Sequence, residues 1–112
     1  MSMNRNTNYL VKNINGTSDN PPPSGYSSWL DYWRNETGSS RCTCCVMGCS
    51  NSAEVGAHVQ IKDGRVSNEW YIAPMCKYHN NYHNTELMYL DSRVTLVSAN
   101  RSYFPEIKTK YK

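Results

Sequence analysis

A small α+β domain is the fold that this sequence predicts, and three observations predict it. The chain has 112 residues, 38% of them hydrophobic, which limits it to one modest core. Residues 55–61 alternate apolar and polar and run into Asp63-Gly64, the pattern of a strand leading into a hairpin turn. Four of the five cysteines, Cys42, Cys44, Cys45 and Cys49, fall within one short run, and Cys76 stands far downstream.

The elements follow in chain order. Residues 1–25 are rich in Asn, Ser, Thr and Gly and contain Pro21, Pro22 and Pro23, so they are expected to form a flexible arm, too polar to pack. The folded domain is expected over 26–100. Ser27 or Ser28 can cap a helix that runs to about Asn35, with Trp29, Leu30 and Trp33 making one aromatic face, and Gly38 ends it. In the strand over 55–61, Val55, Ala57, Val59 and Ile61 point to one side as the core face. Gly56, His58 and Gln60 point to the other.

The return strand is expected over about Glu69 to Ala73, with Pro74 ending the pairing. A helix is expected from about Lys77 to Met88, then a short strand over Arg93 to Ser98. Tyr71, Tyr78, Tyr82 and Tyr89 are read as the core and its rim in a chain with one phenylalanine. Residues 101–112 form a basic tail.

Charge and hydropathy bound the functions available. No stretch approaches the roughly 18 apolar residues of a membrane span, and the start is polar, so a cytoplasmic location with no membrane contact is expected. Net charge is +3, and residues 1–100 balance 8 basic against 8 acidic side chains. The excess lies in Arg101, Lys108, Lys110 and Lys112, opposed by Glu106. Such a balance permits nucleic-acid contact through a local patch without requiring it.

A core this small does not comfortably offset its chain entropy, so a further staple is expected. Clustered, odd-numbered cysteines without a secretory signal argue against disulfides and for a metal ion. Cys76 and His79 are spaced to converge on one tetrahedral zinc ion, and they need an equal pair upstream. Cys42 with Cys45, Cys45 with Cys49, or Cys44 with Cys49 would each serve. Knuckle, hairpin and a helix bearing the second ligand pair is the order of a treble-clef zinc finger. Four protein ligands would close the shell and make the zinc structural.

Cys44 to Cys49 with Gly48, Val55-Gly56-Ala57-His58-Val59, Trp70 to Cys76, and Cys76-Lys77-Tyr78-His79-Asn80 resemble the treble-clef HNH-type (His-Me finger) endonuclease-like zinc proteins. The resemblance covers residues 42 to about 98. In similar sequences four residues separate the first pair, which implies Cys44, Cys49, Cys76 and His79 as zinc ligands, with Cys45 or Cys42 as substitutes. The resemblance further implies His58 as general base, Asn80 as the group orienting it or the metal, and His83 as a ligand to catalytic Mg²⁺ or Mn²⁺.

Ala57 departs from the family, whose active members carry a carboxylate or second His there, and no acid lies nearer His58 than Glu54 and Asp63. Two readings follow. One is a divalent-metal-dependent endonuclease acting on DNA or RNA. The other is a catalytically inactive zinc module that binds nucleic acid or a host protein, such as a phage- or plasmid-borne regulator.

Overall fold

The computed structural model describes residues 8–14, 20–62, 69–81 and 83–99. The described chain forms five strands and one helix in the order β1 (Leu10–Asn13), α1 (Trp29–Thr37), β2 (Val55–Ile61), β3 (Tyr71–Met75), β4 (Met88–Tyr89) and β5 (Val97–Ser98). The strands make one antiparallel sheet in the spatial order β4-β1-β2-β3-β5. The expected α+β class is observed. No helix among the described residues is long and apolar enough to cross a membrane.

Helix α1 begins and ends on local chemistry. Ser28, in extended conformation, caps it by accepting the Asp31 N–H at 3.0 Å. Gly38 terminates it in the left-handed region, φ +69°, and returns its N–H to the Arg34 carbonyl at 2.8 Å. Trp29, Leu30, Tyr32 and Trp33 are buried, and the Trp33 indole N–H donates to the Thr95 carbonyl at 2.7 Å.

Both faces of the sheet are covered. Paired residues share a face, so Val11, Asn13, Ala57, Val59, Ala73, Met75 and Met88 line one side, all buried. The opposite side carries Gly56, His58 and Ile72, and α1 packs there. This corrects the expectation that Gly56 and His58 face away from the core. Alternation separates the two faces of a strand but does not say that one is wet, and the aromatic helix needs a surface to cover. Gly56 is the point of closest approach: a Cβ there would lie 2.6 Å from the Trp29 carbonyl carbon and 2.7 Å from the Leu30 nitrogen.

Four further expectations are corrected. Leu10–Asn13, placed in the flexible arm, form β1, which pairs with β2 and β4 inside the sheet. Pro74 does not end β3 but pairs with Gly56. At that point β3 has no neighbouring strand beyond β2, because β5 reaches only Tyr71 and Ile72. A residue without an N–H is tolerated on such an edge, and the Pro74 carbonyl accepts the Cys45 N–H at 2.8 Å. The last strand is Val97–Ser98, shorter than expected.

The helix expected over Lys77 to Met88 is not formed. A single helical turn, Asn80 N–H to the Cys76 carbonyl at 3.0 Å, gives way to turns in which Asn81 accepts the His83 N–H and Asn84 accepts the Glu86 N–H. Asn side chains compete with helical hydrogen bonds, and the three in this stretch, Asn80, Asn81 and Asn84, outweigh the weak periodicity. Asp63-Gly64, Tyr82, most of the amino arm and the tail 101–112 lie outside the described residues.

The Gly56–α1 contact yields a first prediction. Gly56→Ala drives a methyl into the α1 backbone, which cannot move as a side-chain tip can, and should cost about 1–3 kcal/mol in urea unfolding of metal-loaded protein. Gln60→Ala on the same face, where Gln60 is half-buried, should cost less.

Candidate metal centre

Two turns meet at the end of the central β2–β3 pair. The first runs over 42–53 and is closed by the Cys44 N–H to the Asn51 carbonyl and the Ala53 N–H to the Cys42 carbonyl, both 2.8 Å. Inside it the Cys49 N–H donates to the Val46 carbonyl at 3.0 Å, and Gly48 takes φ +83°. The second turn, Cys76 to Asn80, leaves β3 directly. Glu54 ties the two by accepting the Lys77 N–H at 2.9 Å.

Cys44, Cys49, Cys76 and His79 converge here, their ligand atoms all within 4.8 Å of one another. Cys44 Sγ lies 3.7 Å from His79 Nδ1, Cys76 Sγ lies 3.3 Å from the same nitrogen, and the Cys49 and Cys76 sulfurs are 4.0 Å apart. A tetrahedral zinc ion with Zn–S of about 2.3 Å and Zn–N of about 2.0 Å requires edges of roughly 3.8 Å between sulfurs and roughly 3.5 Å from sulfur to nitrogen. The Cys₃His set therefore suits a structural metal such as zinc in both chemistry and spacing. It is the single group of three or more metal-ligating side chains among the described residues.

The surroundings favour thiolate at Cys44. The Cys45 thiol donates to Cys44, and backbone N–H groups of Val46 and Cys76 add to it, lowering the Cys44 pKa to about 4 against the opposing effect of burial. Cys45 itself is pushed up, first by that same hydrogen bond and then by burial. Cys45 is thus a buried donor to a ligand. Cys49 is pushed up chiefly by burial, and a bound cation would reverse this by taking the thiolate. Cys42 is exposed, with its thiol directed to the Ser40 carbonyl.

Several polar residues that the sequence did not single out hold the ligand turns. Asn51 Nδ2 lies 3.7 Å from Cys76 Sγ. Asn13 and Asn84 each donate to the His79 carbonyl at 2.7 Å. Arg41 reaches the carbonyls of Thr43 and Cys44 at 2.9 and 3.1 Å and pairs with Asp91 at 3.4 Å. Asp91 also pairs with Arg93 at 2.7 Å, which holds its carboxyl well below the usual range. No spacing rule marks Asn13, Asn51 or the Arg41–Asp91 pair, because each acts across a long sequence separation, whereas Asn84 and the Arg41 contacts to Thr43 and Cys44 are local.

Comparison with family models, curated proteins and solved structures finds no match to this chain.

His58, Asn80 and His83 are not brought together. His58 lies under α1, 5% exposed, with Trp29 edge-on at 4.8 Å between ring centroids and Trp70 at 5.9 Å. Its Nε2 is buried with no hydrogen-bond partner, and burial lowers its pKa to about 4. Asn80 follows His79 on the side of the sheet reached by Asn13, and His83 lines an open groove next to the metal centre. Tyr78 and Tyr89, expected at the core rim, stand well exposed on that groove.

The centre and the buried histidine each carry a prediction. Chelation, or Cys76→Ser, should remove one bound metal ion per chain and collapse the thermal transition, read by elemental analysis and circular dichroism. His58 is neutral in the fold with a pKa of about 4, against an ordinary 6.5, so the unfolded chain binds its proton first. Stability should be full above pH 6.5 and decline as pH falls toward 4, by up to about 3 kcal/mol. His58→Phe should flatten that decline relative to wild type in urea titrations across this range.

Proposed function

We propose that the chain is a zinc-stabilised binding module that carries out no hydrolysis. In this reading one zinc ion, held by Cys44, Cys49, Cys76 and His79, joins the two turns. The closed shell leaves zinc no position for water, so its role is structural. The order of knuckle, paired strands and second ligand pair is that of a treble clef lacking its terminal helix.

The burial of His58 carries the reading. A general base must come within hydrogen-bond reach of the water it activates, and His58 is packed between two indoles beneath a helix. No acidic side chain completes a metal site with it among the described residues. His83 lines the open groove, whose lining does not include His58. What remains for function is surface, as expected of a scaffold whose activity is set by the sites it carries.

Labelled single- and double-stranded DNA and RNA, incubated with zinc-loaded protein and Mg²⁺, Mn²⁺ or chelator, should show no cleavage above that of His58→Ala. Metal-dependent cleavage by wild type that the variant lacks would overturn the reading.

A further inference from the structure

Among the described residues, four large hydrophobic side chains are exposed, and all four line one groove beside the metal centre. They are Met47 at 50% exposure, Tyr78 at 76%, Leu87 at 55% and Tyr89 at 55%. Scattered apolar residues on a surface need no explanation, whereas their collection in a single depression marks a contact site. We propose that this groove docks a segment of a partner protein that inserts apolar side chains and sets a basic residue against Glu86. The proposal rests on the binding-module reading and names the class of partner.

The groove is assembled by the metal centre. Met47 sits in the first ligand turn, Tyr78 in the second beside His79, and Leu87 and Tyr89 on the chain that follows. The Met47 N–H donates to the Tyr89 carbonyl at 2.9 Å, and Val46 bridges Leu90, which locks the first turn to β4. The backbone that carries Met47 and Tyr89 is therefore held in place before a partner arrives, which lowers the ordering cost of binding. At about 680 Å³ the depression accommodates several inserted side chains.

Two observations select the occupant. The outer main chain of β4 is engaged by Met47 at Tyr89, so recognition runs through side chains rather than through an added strand. Among the described residues, Glu86 is the one carboxylate in the lining, and no Lys or Arg lines the groove. A phosphate backbone would find a repelling charge and no cation, whereas a Lys or Arg on a peptide would complement Glu86. An apolar peptide segment with a basic flank satisfies both conditions.

Selection of a random peptide display library on the zinc-loaded full chain tests this. Enriched sequences should combine aliphatic or aromatic anchors with Lys or Arg. A synthetic peptide of the enriched sequence should bind wild type and lose at least about tenfold in affinity to Leu87→Glu and to Tyr78→Ala. Both variants should keep full zinc content, and Leu87→Glu the wild-type melting temperature, because both side chains are exposed; the Tyr78 ring also lies 5.1 Å from the His79 ring, so Tyr78→Ala should melt slightly lower. Glu86→Lys should weaken the same peptide, and chelation should abolish binding.

No enrichment above background, or binding undiminished in both groove variants, would overturn the proposal. So would a mobility shift of an oligonucleotide, or self-association of the chain, that Leu87→Glu removes, since either names another occupant. Nuclease turnover dependent on His58 would refute the proposed function while leaving the peptide result to stand or fall separately.

Discussion

The convergence of three sulfurs and one imidazole nitrogen is the constraint on which the rest of the structure depends. It joins two turns that have little regular structure of their own and that flank the same end of the β2–β3 pair, one entering β2 and one leaving β3. A cluster of buried thiols at these distances gains little unless a cation replaces the protons, because each thiolate otherwise carries an uncompensated charge out of water. The surroundings lower the Cys44 pKa, with Cys45 the leading cause, while burial raises that of Cys49, whose proton a bound cation would displace. Arg41, Asn13 and Asn84 then supply main-chain carbonyls with the partners that a helix or strand would otherwise provide, and Asn51 reaches the Cys76 sulfur.

The sheet divides the molecule into two environments. On one side α1 lies so close to β2 that only a glycine fits at position 56, and its tryptophans bury the neighbouring histidine. Two aromatic edges against the imidazole give packing without a proton acceptor, which is why the ring is held neutral. On the other side, polar amides reach from the sheet to the ligand turns. A histidine that serves packing and one set in a cluster able to hold a metal thus sit in one small domain, on either side of the sheet.

Replacing the expected second helix by asparagine turns has a consequence for the surface. A helix over residues 77–88 would bury one face and present the other with a regular period. The turns instead hold Tyr78, Leu87 and Tyr89 outward around one depression, facing Met47. Apolar area that a small domain could have used for its own stability is left exposed, and it is confined to the part of the molecule the metal centre makes rigid.

By itself the sequence determined the class of the fold, the capped aromatic helix, the strand over 55–61 and the ligand chemistry of the cysteine cluster. Each of these rests on short-range signals: Ser28 and Gly38 as caps, an alternating run, and Cys and His at small separations. Spacing alone left Cys42, Cys44 and Cys45 open as partners of the downstream pair, and the resemblance implied Cys44 and Cys49; the tertiary structure gathers those two sulfurs with Cys76 and His79 and leaves Cys45 buried outside the cluster and Cys42 exposed. The strand at Leu10–Asn13, the side of the sheet that α1 covers, and the separation of His58 from Asn80 and His83 were likewise decided by packing between distant segments. A two-residue period states that His58 and Val59 face opposite ways. What covers each face is set by where the rest of the chain goes, and no local pattern carries that information.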